Sequence, residues 1–242
     1  MAVTEWLRSR IKAARKRGSA WVRFLDIARL LANAQGRGQL LTRILHGRQT
    51  HQTTPQTAPN RYPELFDLAA SLAPDAVRVL SFGCSTGEEL VALRHRFTDA
   101  EIVGAEINPR SRKLARGLVH TDPHTTVVPS KALAGTFDLI FALAVLQREP
   151  HKIAEMGVED LSPFYPFARF DDLVTQLVGM LREGGLLCVI NAQYRVEDSS
   201  AAKELQPLLD SPAMDPIIFG PDGRRLEKPV ARTIFRKVGA SA

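Results

Sequence analysis

The tract Gly83-Cys84-Ser85-Thr86-Gly87-Glu88-Glu89 is the part of this 242-residue chain best equipped for chemistry. Small residues and glycines let a ligand approach the backbone, and glycine accepts the positive φ of a tight turn. The tract follows an apolar run at 77–82 and precedes a helical pattern at 88–96, so it reads as a strand-to-helix turn. A second apolar run, 101–105, ends at Glu106, 23 residues beyond Gly83. That is close to the offset of roughly 20 residues at which an acid meets a ribose hydroxyl pair in α/β nucleotide folds. A carboxylate suits the task because it accepts from both hydroxyls at once. Together the two features predict a cofactor built on adenosine.

Charge selects among such cofactors. A dinucleotide places its pyrophosphate on the N-terminus of the first helix, where free amides and the dipole attract an anion. Here Glu88 and Glu89 occupy that first turn, and Ser85-x-x-Glu88 and Thr86-x-x-Glu89 both match a capping box. Such acids repel phosphate and suit a cationic sulfonium and ammonium. The spacing also departs from G-x-G-x-x-G, with Ser85 at the place of the second glycine and Gly87 too early for the third. S-adenosylmethionine fits better than NAD.

The elements that must position these residues alternate between strand and helix. Apolar runs at 77–82, 101–105, 125–128, 137–142 and 186–190 predict strands. Helical patterns fall at 63–72, 88–96 and after Pro109. Another is marked by Phe170, Leu173, Val174, Leu177, Val178 and Leu181, and Gly184-Gly185 is expected to end it. A short helix is expected at 201–209, then strand-like pieces at 216–219 and 232–236, with a turn signal at Pro221-Asp222-Gly223. This alternation means an α/β fold with a mostly parallel sheet covered on both faces, and the closing pair suggests an antiparallel edge.

Four segments carry a family resemblance: 79–89, Ala105-Glu106-Ile107-Asn108-Pro109, Phe137-Asp138-Leu139-Ile140-Phe141-Ala142, and Leu181-Arg182-Glu183-Gly184-Gly185-Leu186-Leu187. In order and spacing they resemble the class I S-adenosylmethionine-dependent methyltransferases, over about residues 61–238. The resemblance implies a Rossmann-like, doubly wound, seven-stranded sheet with an antiparallel C-terminal strand. It implies that Gly83, Cys84, Ser85 and Gly87 line the methionine and ribose parts of the cofactor. Glu106 would hold the ribose, with Ile107 beside the adenine, and Ala142 and Leu143 would floor the methionine side. Ser81 stands where the family often carries an acid, and Ser130 or Lys131 follows the third strand where it often carries a polar or acidic adenine contact. The loop Gly-Cys-Ser-Thr-Gly-Glu-Glu is also similar to that of chemoreceptor glutamate methyltransferases, but Leu90-Val91-Ala92-Leu93 lacks their usual proline.

Catalytic residues are not legible, because a sulfonium methyl is already activated and geometry alone can suffice. His151, in the segment after the fourth strand, and Tyr194, after the fifth, are the candidate bases. Tyr62 reads as helix-entry packing before a lid over the cofactor. Cys84 reads as a small loop residue before a nucleophile, and Cys188 as core. The histidines, His120-x-x-x-His124 included, show no metal-ligand pattern, so no metal is expected.

Composition bounds the rest. At 45% hydrophobic and 24% charged, the chain has the material for a real core without disulfides. The cysteine usage and the absence of an apolar run of roughly 18–20 residues predict a cytoplasmic protein. Residues 1–48 hold eleven Lys or Arg against Glu5 and Asp26, a net +9, and 49–60 hold no charge. Residues 61–242 therefore carry −3 of the whole chain's +6. We expect a basic helical leader at 1–48, a linker at 49–60 and a methyltransferase domain at 61–242. The leader reads first as a lid or dimer helix. Contact with an anionic membrane surface is its next reading, and RNA binding ranks lowest because aromatic interleaving is sparse. A small-molecule O, N or C nucleophile is the expected methyl acceptor. The alternatives are a macromolecular acceptor (RNA or a protein carboxylate) and a non-catalytic S-adenosylmethionine-binding protein. Oligomeric state is not written in the sequence.

Overall fold

The computed structural model describes residues 60–211, 217–227 and 229–239. The expected leader, and the linker up to residue 59, lie outside the described residues. The elements run α1 (Pro63–Leu72), β1 (Arg78–Phe82), α2 (Glu88–Arg94), β2 (Glu101–Ala105), α3 (Pro109–Leu118) and β3 (Thr125–Val128). After β4 (Phe137–Leu143) come α4 (Pro150–Met156), α5 (Phe167–Gly179), β5 (Leu181–Ile190), β6 (Leu205–Ser211) and β7 (Ala231–Lys237). Proline at the first helical turn opens α1, α3 and α4, where a missing N–H costs nothing. Asn108 caps α3, its side-chain oxygen accepting from the amides of Arg110 and Ser111.

The strands form one seven-stranded sheet in the order β3-β2-β1-β4-β5-β7-β6. Pairing is parallel from β3 through β5, and β7 runs antiparallel to both β5 and β6. The chain winds outward from β1 to β3, then returns to place β4 against β1. That reversal is the topological switch point of a doubly wound sheet, and ligands bind beyond the carboxyl ends of the strands there.

Alternation along each strand divides the core. Leu80, Ile140, Leu187 and Phe235 face Phe170, Val174 and Leu177 of α5. Val79, Phe141, Cys188 and Ile234 face Phe66 of α1 and Leu90 and Leu93 of α2. Phe66 meets Phe141 edge-to-face at 5.4 Å between ring centroids. Each such side chain contributes about 1.5–3 kcal/mol on burial, so both sheet faces are held where the loops need them.

Three expectations change. The segment 201–209 is not a helix: a short 3₁₀ turn, Ser200–Glu204, leads directly into β6. The sheet edge wins over local helix preference because β6 pairs with β7 along its length. Residue 216 lies outside the described residues, and 217–219 are correspondingly not a strand, although Phe219 makes isolated bridges to Tyr194 and Arg225. Nor does Gly184-Gly185 end α5. That helix stops at Gly179 with Met180 as its cap, and Gly184, at φ +76°, lies where the β4–β5 register slips between Phe137 and Leu139.

The described part of the β6–β7 connection returns over the carboxyl edge. The amide of Leu161 donates to the Gly223 carbonyl (2.9 Å), that of Arg225 to Glu159 (3.0 Å) and that of Phe219 to Gln193 (2.9 Å). Segments following β4, β5 and β6 are thus tied together above the sheet.

Gly87 is the position at which the fold most directly constrains the site. It sits at φ +100° as the residue before α2, and a Cβ there would lie 3.0 Å from the Ala115 Cα of α3. Gly87→Ala is expected to destabilise the protein by about 1–3 kcal/mol in urea unfolding, through left-handed strain and this backbone contact. An unchanged midpoint would show that the turn can be built another way.

Candidate functional site: the carboxyl edge of β1, β2 and β4

The turn after β1 is a strained backbone held from both sides. Gly83, Ser85 and Gly87 have φ of +81°, +50° and +100°. The Ala105 carbonyl at the end of β2 accepts from the amides of Gly83 (2.7 Å) and Cys84 (3.2 Å). A Cβ at Gly83 would lie 2.5 Å from Val145 Cγ2, so the loop after β4 closes down on this turn. Ala144 and Asn191, just past β4 and β5, also take positive φ. Strained residues that gather at one sheet edge mark a functional site.

Glu106 ties the edge together. One carboxylate oxygen accepts from the Ser85 amide (3.0 Å) and the other from the Asn108 amide (2.6 Å). Its own carbonyl accepts from Arg112 (2.9 Å). Burial pushes its pKa above the ordinary carboxylate value, against the opposing pull of these amides and of Arg112.

Three acids set the field. Burial pushes the Cys84 thiol well up, and the charges of Glu106, Glu89 and Glu88 push it further. Cys84 is therefore a buried thiol in a negative field, which suits a packing residue and not a nucleophile. The expected capping boxes do not form, because Gly87 takes the N-cap position and has no side chain to offer. The Thr86 hydroxyl instead donates to Glu88 (2.7 Å), and Ser81 donates to Glu89 Oε1 (2.7 Å). Neither acid caps the helix, so both carboxyls stay at the mouth of the turn, with burial raising that of Glu89 to about 7.

The other expected cofactor residues fall along the same edge. Ile107 follows Glu106 and is half-buried, and Ser130 opens a 3₁₀ turn after β3. Ala142 packs its side chain on the α5 face and Leu143 on the α1 face, so at this edge β4 offers mainly backbone. The Ser85 hydroxyl is buried with no hydrogen-bond partner among the described residues. A buried orphan of this kind calls for a ligand. An adenosyl group meets the demands of the site, with ribose hydroxyls for Glu106 and Ser85 and a positive centre for the acids.

The candidate bases separate. Tyr194 is 1% exposed and packs among Tyr165, Phe167, Phe170 and Phe219, with its hydroxyl donating to the Tyr165 carbonyl (2.5 Å). Burial pushes its pKa far above that of an ordinary phenol, so it holds the roof of the site and is no base. His151 is exposed on the first turn of α4. Of the described histidines it alone lies on a segment leaving the carboxyl edge.

Sequence reasoning missed Asn108 and Asn191. Asn108 stands in the sequence only as part of the segment after β2, and neither its capping of α3 nor its amide's donation to Glu106 was read there. Asn191 donates to the Tyr62 hydroxyl (2.9 Å), which links the end of β5 to the start of α1. Its only signal was a polar residue directly after an apolar run. Among the described residues there is no group of three or more His, Cys, Asp and Glu able to hold a metal. No helix among them is long and apolar enough to cross a membrane.

Residues 80–189 match the family model of a methyltransferase domain. No curated relative matches the chain. Among solved structures, the chain is similar to S-adenosylmethionine-bound CalS10, an amino pentose methyltransferase from Micromonospora echinaspora. The identity is 21%, the match covers 62% of this chain and 55% of that one, and the TM-score is 0.41. It is similar to TehB from Haemophilus influenzae at 12% identity, covering 83% and 67%, with a TM-score of 0.49. It is also similar to the N-methyltransferase NodS from Bradyrhizobium japonicum at 16%, covering 74% and 99%, with a TM-score of 0.46. The matched part of this chain spans about half the length of CalS10.

Two outcomes are expected. Glu106→Ala should cost about 1–3 kcal/mol of S-adenosylhomocysteine binding by calorimetry, the usual loss for hydrogen bonds to a charged group. Unchanged affinity would contradict the ribose assignment. Tyr194→Phe should lose about 1–3 kcal/mol of stability, because the buried Tyr165 carbonyl loses its donor. Its turnover should stay near that of the parent protein, and a folded but inactive variant would restore Tyr194 as a base.

Proposed function

We infer that this chain, which carries a class I S-adenosylmethionine-dependent methyltransferase domain, methylates a small-molecule O, N or C nucleophile. The observation that carries the reading is Glu106, bridging the Ser85 and Asn108 amides beside Glu88 and Glu89. That arrangement holds a ribose and favours a cation next to it. When bound, S-adenosylmethionine supplies a methyl carbon whose bond to sulfur breaks, with its electron pair, as the acceptor's bond forms.

The protein's own part is to orient the acceptor and exclude water. The segments above the sheet support a small acceptor. Gln193 accepts from the Arg148 amide (2.6 Å), its own amide donates to Leu146 (3.1 Å), and Phe219 and Leu161 are buried against them. Such a roof suits a compact molecule better than a nucleic-acid strand, as does the net −3 on residues 61–242. Where the nucleophile must lose a proton, His151 is the base we propose.

Tritiated-methyl transfer into a fractionated cell extract tests this. Label is expected in the small-molecule fraction. Label in RNA or protein would replace the reading with a macromolecular acceptor, and cofactor binding with no label anywhere would make the chain a non-catalytic binder. Against an acceptor that loses a proton, His151→Ala should lower kcat by about 100-fold or more while leaving cofactor affinity intact. Undiminished turnover would remove His151 from the chemistry.

A further inference from the structure

Helix α3 carries an outer surface that neither the core nor the candidate site uses. Its ten residues, Pro109–Leu118, hold Arg110, Arg112, Lys113 and Arg116 and no acid, although residues 61–242 have a net charge of −3. Ser111 and Ala115 are its buried face. Arg110, Lys113, Leu114 and Gly117 are exposed on the opposite face, at helical spacings of three and four that make them neighbours. Leu114 is 52% exposed, and Leu118, one turn on, is 47% exposed. Leu118 leans toward α2, where its Cδ2 lies 3.4 Å from a Cβ placed at Gly87. Val91, one turn along α2 from Gly87, is 37% exposed. Three large aliphatic side chains are therefore left in water along one seam.

The cations of α3 divide by what they do. Arg112 and Arg116 are spent on the fold, donating to the carbonyls of Glu106 (2.9 Å) and Val127 (2.9 Å). Arg78, Arg96 and Arg182 pair with Glu101, Asp67 and Asp138, whereas Arg110 and Lys113 have no acidic partner among the described residues. Protruding leucines flanked by unpaired cations combine apolar burial with attraction to fixed negative charge.

We propose that this face of α3 docks on the surface of an anionic lipid bilayer. Leu114 and Leu118 would enter the headgroup boundary while the long stems of Arg110 and Lys113 carry their charges to lipid phosphates. The shape of the surface favours a bilayer over an acidic peptide. A Cβ at Gly117 would meet nothing within 4 Å, so no wall stands over that part of the helix. A peptide helix needs such a groove, and a fluid surface does not. A nucleic-acid strand would find no aromatic ring on α3 to stack upon. The domain's overall negative charge does not prevent docking, because salt screens charges more than about 8 Å away. The proposal goes beyond the methyltransferase reading and does not rest on it.

The test places a polarity-sensitive fluorophore on the full chain at Gly117→Cys, where the side chain has room. Cys84 and Cys188 are buried and stay unlabelled in the folded protein. Vesicles of equal parts phosphatidylcholine and phosphatidylglycerol should shift its emission to the blue at physiological salt, and pure phosphatidylcholine vesicles should not. The same label at Asp75→Cys, exposed in the turn between α1 and β1, should report no change. Arg110→Glu and Lys113→Glu should each weaken partitioning onto the mixed vesicles at least about fivefold. Leu114→Ser combined with Leu118→Ser should weaken it at least about tenfold, with the unfolding midpoint preserved. An unmoved label at residue 117 on vesicles that carry the protein down would overturn the proposal and assign the attachment to another part of the chain. No attachment at all would overturn it too, as would a shift given by polyglutamate or an RNA oligonucleotide and not by vesicles.

Discussion

Glu106 leaves the end of β2 with each carboxylate oxygen held by a different loop amide, one from Ser85 and one from Asn108. Without that bridge, the turn after β1 and the turn into α3 would be separate loops on neighbouring strands. With it they form one surface of fixed shape. A buried carboxylate in a partly apolar setting is costly to ionise, and the amides and Arg112 offset much of that cost. The positive φ at Gly83, Ser85 and Gly87 draws on the same support, since the Ala105 carbonyl pins the turn from the strand beside it. Strain and charge are both concentrated where the sheet's winding reverses, above a core that is buried on both faces of the sheet.

The electrostatic consequence is selectivity. Short helices that open toward a ligand ordinarily favour anions, through free amides and the dipole. In this chain Glu88 and Glu89 oppose that tendency, and Glu106 adds a third negative charge, which the Cys84 thiol registers. A diphosphate entering this turn would meet repulsion on each side, whereas a sulfonium would meet none. The fold is thus compatible with many nucleotide ligands, and these few side chains decide among them.

Much of this was legible because it is local. The apolar runs of β1 to β5, the glycine spacing and the offset to Glu106 are each read within a short window. The last strands were not, because β6 is made by pairing with β7 and not by its own pattern: Leu205-Gln-Pro-Leu-Leu has no clean alternation. The capping boxes failed for a related reason. Their spacing was right, but Gly87 at φ +100° took the cap and left Glu89 to Ser81, a partner eight residues back on the neighbouring strand. Tyr194 shows the same limit, since nothing in the sequence distinguishes a tyrosine facing a ligand from one closed inside an aromatic cluster.

Preference for a cation over a diphosphate is the claim on which the site depends, and one comparison reaches it directly. Titrating the protein with S-adenosylmethionine and with ADP-ribose, at low and moderate salt, holds the adenosine constant and changes the charge of the group attached to it. S-adenosylmethionine should bind at least about tenfold more tightly, which is roughly 1.4 kcal/mol. The gap should narrow as salt screens the carboxylates. Equal or tighter binding of ADP-ribose would contradict the electrostatic assignment of the turn.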